Sequence, residues 1–240
     1  MSELCSTDMQ TLDPSARLLF ALDATASRQT SWNQAQDIQS EMFRATEQCG
    51  GLRVQLCYYR GEDQFTATPW VQHANALSAT MAAVTCLRGY TQIEKLLRYA
   101  LQAHTHTPLK AIVFVGDAVE EDVDVLCQLA ENLHQCHVPL YAFQEGSDPF
   151  AAAALHQLAG LSGGMHLQFN RHSPRTLAEL LGAVAAWAAG GQRALAHYVE
   201  RATADATQAK NAENNTNLNN LNKLSTALRH APLSLPPRAD

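Results

Sequence analysis

A chain of 240 residues has room for one domain of roughly 200 residues and an extension, but not for two full domains. Hydrophobic residues make up 46% of it, enough to build a core, so neither a disordered chain nor a disulfide-dense scaffold fits. The formal net charge of −6 and the lack of a basic run argue against nucleic acid as a partner, because phosphate binders gather Lys and Arg on one face.

Met1 to Thr7 carries no charged segment followed by an apolar one, and no stretch approaches the roughly 20 apolar residues that span a bilayer. Cys5, Cys49, Cys57, Cys86, Cys127 and Cys136 are scattered singly with no CxxC pair, as suits reduced thiols. The expectation is a cytoplasmic protein with no membrane span.

Residues 1–15 read as an N-terminal lead. Arg17 to Leu22 is an apolar run of strand length, and apolar residues at helical spacing from Trp32 to Gln48 predict a first helix, ended by Gly50 and Gly51. Leu52 to Tyr59 alternates as a strand, and Gly61 to Asp63 turns into a short antiparallel edge strand, Gln64 to Thr68. A short helix is expected over Asn75 to Cys86 and a longer one over Gln92 to His104, with Arg88-Gly-Tyr-Thr91 between them.

Ala111 to Val115, apolar throughout, predicts a central parallel strand covered on both faces, and it leads into Gly116-Asp117. A helix at Asp122 to Gln135, a strand at Val138 to Phe143, a helix at Asp148 to Leu161, a strand at Met165 to Phe169 and a helix at Leu177 to Ala189 follow. The pattern is an α/β fold: a doubly wound, mostly parallel sheet of roughly six strands flanked by helices, Rossmann-like, over residues 16–190. Residues 191–210 predict a C-terminal helix. The Asn- and Pro-rich stretch 211–240 predicts a flexible tail that trypsin should cut between Lys210 and Leu233.

Strand one runs into Asp23-Ala-Thr25-Ala-Ser27, a carboxylate followed by two hydroxyls at alternate positions where the chain leaves the sheet. In open α/β sheets the ligand crevice lies outside the carboxyl ends of the strands, and Asp117 emerges at that same edge. Thr91, in a loop before a helix, can add a third hydroxyl. Two carboxylates and several neutral hydroxyls suit a small hard cation that takes six oxygens, Mg²⁺ with Mn²⁺ as the alternative; no His or Cys belongs to the set, which disfavours zinc.

Asp-x-Thr-x-Ser, a later Gly-x-Thr and a strand-terminal Asp resemble the metal-ion-dependent adhesion site of von Willebrand factor A (VWA) domains, here a stand-alone bacterial-type domain, over roughly Arg17 to Gly190. The resemblance implies that Thr25, Ser27 and Thr91 supply hydroxyls while Asp23 and Asp117 act directly or through water. It further implies a non-enzymatic interaction module or scaffold, in which an Asp or Glu of a protein partner completes the cation. Tyr90, where the family often has a second Gly, and Ala118, where Gly is common, depart from the pattern.

Plainer readings stand beside these. Asp23 and Ser27 could each cap a helix, and Glu120 to Asp124 reads as a helix first turn whose negative charge suits the macrodipole. Cys127, His134, Cys136 and His137 match no usual zinc spacing, Gly163-Gly164 reads as a helix-to-strand turn, and Ser27, Ser162 or Cys136 has no visible catalytic base. Two rival functions remain: an Mg-dependent phosphoester hydrolase, and an assembly subunit whose tail contacts a further subunit.

Overall fold

The computed structural model describes residues 16–28, 51–169, 174–208 and 212–230. Its sheet holds six strands: β1 (Arg17–Asp23), β2 (Arg53–Arg60), β3 (Gln64–Ala67), β4 (Ala111–Gly116), β5 (Leu140–Glu145) and β6 (Met165–Phe169). Their order is β3-β2-β1-β4-β5-β6; β3 runs antiparallel at the edge and every other pairing is parallel. The chain steps from β1 outward to β2, then returns to lay β4 on the other side of β1. That reversal opens a crevice between the carboxyl ends of β1 and β4.

Central strands are buried on both faces, which is why β1 and β4 read as unbroken apolar runs. Alternate residues serve two cores. Leu18, Phe20, Val113, Tyr141 and Phe143 face one way, Leu19, Ala21, Ile112, Phe114 and Ala142 the other. The first core is closed by α1 (Ala74–Ala82), α5 (Pro174–Gln208) and α6 (Ala212–His230), the second by α2 (Ile93–His106), α3 (Val123–Gln135) and α4 (Pro149–Ser162).

Helix boundaries follow the capping chemistry of the sequence. Asp122 Oδ1 accepts the Asp124 N–H at 2.9 Å to start α3, and Asp148 Oδ1 accepts the Ala151 N–H at 2.6 Å to start α4, with Pro149 in its first turn. Helix α4 stops at Gly163, which takes the left-handed conformation at φ 82°. The helix expected over 32–48 lies outside the described residues.

The C-terminal part differs from the expected one. Helix α5 leaves helical geometry at Gly190 and Gly191, and a Cβ added to Gly182 would lie 2.3 Å from Tyr198 Oη. Along a straight helix residues 182 and 198 would stand about 24 Å apart, so the chain doubles back at the two glycines as a helical hairpin. The flexible tail expected from residue 211 is corrected over Ala212–His230, which forms α6 with Leu221, Leu224 and Leu228 buried in the first core. Gln192 Nε2 donates to the Leu228 carbonyl at 2.9 Å and ties α6 to α5. The expectation failed because each Asn costs only several tenths of a kcal/mol in a helix, whereas each buried Leu returns about 1.5–3 kcal/mol.

Candidate functional site

The end of β1 turns out of the sheet through its own carboxylate. Asp23 is 0% exposed, and its Oδ1 accepts the Thr25 N–H at 2.7 Å. The Ala24 N–H donates to the Tyr59 carbonyl at 2.9 Å, which holds this exit against β2. Buried Thr25 and exposed Ser27 bring their hydroxyl oxygens to 3.1 Å of each other, on a chain that enters a short 3-10 turn, Ala26–Arg28. One hydroxyl donates to the other, and lone pairs remain on both.

The loop before α2 is pinned from two sides. Leu87 N–H donates to the Ala24 carbonyl at 3.1 Å, its own carbonyl accepts the Gly61 N–H at 3.4 Å, and Gln92 Nε2 donates to the Gly61 carbonyl at 3.2 Å. Gly89 lies on Gly61 so closely that a Cβ there would fall 1.8 Å from the Gly61 oxygen. This packing carries Thr91, only 5% exposed, to the crevice.

Across the crevice, Glu120 and Glu121 hold Thr91. The Thr91 N–H donates to Glu120 Oε2 at 2.9 Å, the Glu120 N–H donates to Thr91 Oγ1 at 2.9 Å, and the Thr91 hydroxyl donates to Glu121 Oε2. The other oxygen of Glu121 accepts the Ile93 N–H, and the Glu94 N–H at 3.3 Å. The acidic run is thus split: Asp122 and Asp124 start α3, as a helix-start reading expects, while Glu120 and Glu121 reach back to the start of α2.

Asp117 follows β4 one residue beyond its last sheet position, half-buried, and its Oδ1 is buried without a hydrogen-bond partner. Between these groups stands Tyr59, buried and stacked on Phe114 at 6.4 Å between ring centroids. Burial pushes its phenol well above the ordinary tyrosine range, and the charges of Asp23, Glu121 and Asp117 add to the rise in that order. The buried phenol thus lies within electrostatic reach of three carboxylates.

Such a concentration of like charge fits a cation. Among the described residues no three His, Cys, Asp or Glu side chains are grouped to hold a metal, so hydroxyls would have to make up the set. Asp23, Thr25, Ser27, Thr91 and Asp117 offer that mixture of carboxylate and neutral oxygen, and the unpartnered Asp117 Oδ1 is an acceptor with its valence open. Cys127, His134, Cys136 and His137 do not group as a zinc site. The Ser162 hydroxyl accepts the Leu140 N–H at 3.0 Å and donates to the Ala159 carbonyl at 2.9 Å, a structural role.

The rim is apolar. Leu87, Tyr90 and Phe150 are the large hydrophobic side chains exposed among the described residues, Tyr90 at 64%. Leu87 and Tyr90 lie in the loop that carries Thr91, and Phe150 opens α4 at the same sheet edge, after the strand next to β4. Tyr90, a departure from the family pattern, thus leaves its ring in solvent beside the crevice.

No family model matches the chain, and no curated protein does. Solved structures do. A von Willebrand factor type A protein from Catenulispora acidiphila aligns with a TM-score of 0.61 at 14% identity, over 73% of this chain and 43% of that one. The SpRpn10 VWA domain aligns at 0.57 and 14% identity, over 70% and 94%. Proximal thread matrix protein 1 from the mussel byssus, with a zinc-occupied MIDAS (the metal-ion-dependent adhesion site motif), aligns at 0.57 and 12% identity, over 72% and 47%. The shared feature is the fold: the chain is built as a VWA-type α/β domain.

Proposed function

We propose that this VWA-type domain is a metal-dependent protein-interaction module, in which a divalent cation held by Asp23, Thr25, Ser27, Thr91 and Asp117 is completed by an Asp or Glu of a partner protein. The observation that carries the reading is the buried, unpartnered Oδ1 of Asp117 at the switch point where buried Asp23 also lies. The mussel protein with its zinc-occupied MIDAS supports a divalent cation in this fold. Oxygen donors alone favour Mg²⁺, with Mn²⁺ next.

The cation supplies a Lewis-acidic centre with an exchangeable position. Three of its five candidate ligands are neutral hydroxyls, so its charge is less compensated than in a carboxylate cage, and an incoming carboxylate is favoured over a neutral amide. Exposed Leu87, Tyr90 and Phe150 give a partner apolar surface around that point, which favours docking over turnover. No helix of the described residues is long and apolar enough to cross a membrane. The free thiols Cys57, Cys86, Cys127 and Cys136 support a cytoplasmic scaffold role.

The test is calorimetry with Mg²⁺ and Mn²⁺ on the whole chain, then affinity for the co-purified partner with cation, with chelator, and with each partner Asp or Glu changed to its amide. The expected result is cation binding at one site and partner affinity lost with chelator. Partner binding that survives chelator unchanged rules the bridge out.

A further inference from the structure

The hydroxyl of Thr91 is already committed on both sides. It donates its proton to Glu121 Oε2 and accepts the Glu120 N–H at 2.9 Å, so one lone pair is left on the oxygen. Glu121 in turn is anchored by the Ile93 and Glu94 amides at the start of α2, where the helix dipole favours its charge. Resting on the cation reading above, we infer that Glu121 is the positioning residue of this site. It holds the hydroxyl proton of Thr91, so that the remaining lone pair of Thr91 is the one presented to the cation.

Two consequences separate this role from general charge. A neutral hydroxyl whose proton is held by a carboxylate is a stronger donor to a metal, because the bond to Glu121 moves electron density onto Oγ1. The same carboxylate also joins the loop after β4 to the start of α2, so turning the hydroxyl proton toward the cation would give up one of the bonds that link those two elements. Glu121 is therefore required through Thr91. A carboxylate on α3 itself, such as exposed Glu131, has neither connection.

The experiment is a double-mutant cycle on the full chain, read as Mn²⁺ affinity by calorimetry and by the electron paramagnetic resonance signal of free Mn²⁺, with circular dichroism to check folding. Glu121→Gln is expected to weaken Mn²⁺ about tenfold or more, the usual loss when a ligand's own hydrogen-bond partner is removed. Thr91→Val should weaken it similarly, Thr91→Ser should retain it, and Glu131→Gln should leave it unchanged. In the Thr91→Val background, Glu121→Gln should have no further effect. A Glu121→Gln protein with wild-type affinity overturns the inference, as does a full additional loss in the Thr91→Val background, which would make Glu121 a direct charge on the cation. A wild-type chain that binds neither Mn²⁺ nor Mg²⁺ overturns the cation reading itself. If Glu121→Gln unfolds, the Thr91→Val and Thr91→Ser pair decides: equal affinities for the two overturn the inference.

Discussion

Two polar clusters lie on one sheet, and their groups are bonded in different ways. At β5 and β6, buried Gln144 accepts from Gln168 Nε2 at 3.1 Å, pairs its Oε1 with His166 Nε2 at 3.1 Å, and donates to the Asp148 carbonyl at 2.9 Å. Asp148 meanwhile caps α4. The amides of Gln144 and Gln168 and the ring of His166 are bonded to neighbours of the same chain, and the one carboxylate named there caps a helix. At β1 and β4, the buried phenol of Tyr59 lies within electrostatic reach of three carboxylates, and a buried oxygen of Asp117 has no hydrogen-bond partner. Buried polar groups are ordinarily satisfied, so a closed cluster is architecture, whereas an open one with surplus negative charge invites something from outside.

The largest effect is expected where that openness is removed. Asp23→Asn keeps an acceptor for the Thr25 N–H but deletes a buried charge among like charges; cation binding measured by calorimetry should fall at least about 100-fold. A variant that binds Mg²⁺ as the wild type does would remove the contrast between the clusters.

The closed cluster should respond in the opposite way. Gln144→Leu strips partners from Gln168 and His166 and should cost about 1–3 kcal/mol in urea denaturation, with Mg²⁺ affinity unchanged. A shift in cation affinity would show that the two clusters are coupled.

The smallest effect is one of pH. Burial, and then the charge of His156, hold His166 down at about 4, against an ordinary value of 6.5. Between those values the unfolded chain takes up a proton that the folded chain refuses, so stability should fall as pH drops from 6.5 toward 4. Comparing urea midpoints at pH 7 and pH 5 for the wild type and His166→Gln checks this. The substitution should flatten the slope.

Much of the fold was legible because strand burial writes itself as apolar runs, such as Ala111 to Val115, and because Asp122 and Asp148 mark helix starts. Asp23, Thr25 and Ser27 stood out by spacing, and the structure sets the two hydroxyls side by side with Asp23 buried at their base. Glu121 was hidden: it directly precedes the cap of α3, where an acidic residue is explained by the helix alone, and its bonds to Thr91 and Ile93 span 30 and 28 positions. Tyr59 read as one more apolar strand position. Helix α6 was masked by composition, since its Asn residues obscured the stripe of Leu221, Leu224 and Leu228.

The doubled-back α5 and its partner α6 set an order of events during synthesis. Among the described residues, the core formed by Leu19, Ile112 and Phe114 has its helices in place once residue 162 has been made. Among the described residues, the opposite side of the same strands, with Phe20, Val113 and Tyr141, is joined by α1 first and by the helices of residues 174–230 last. The contacts that complete this cover join β1 to helices more than a hundred residues later, the kind of long-range closure that forms slowly.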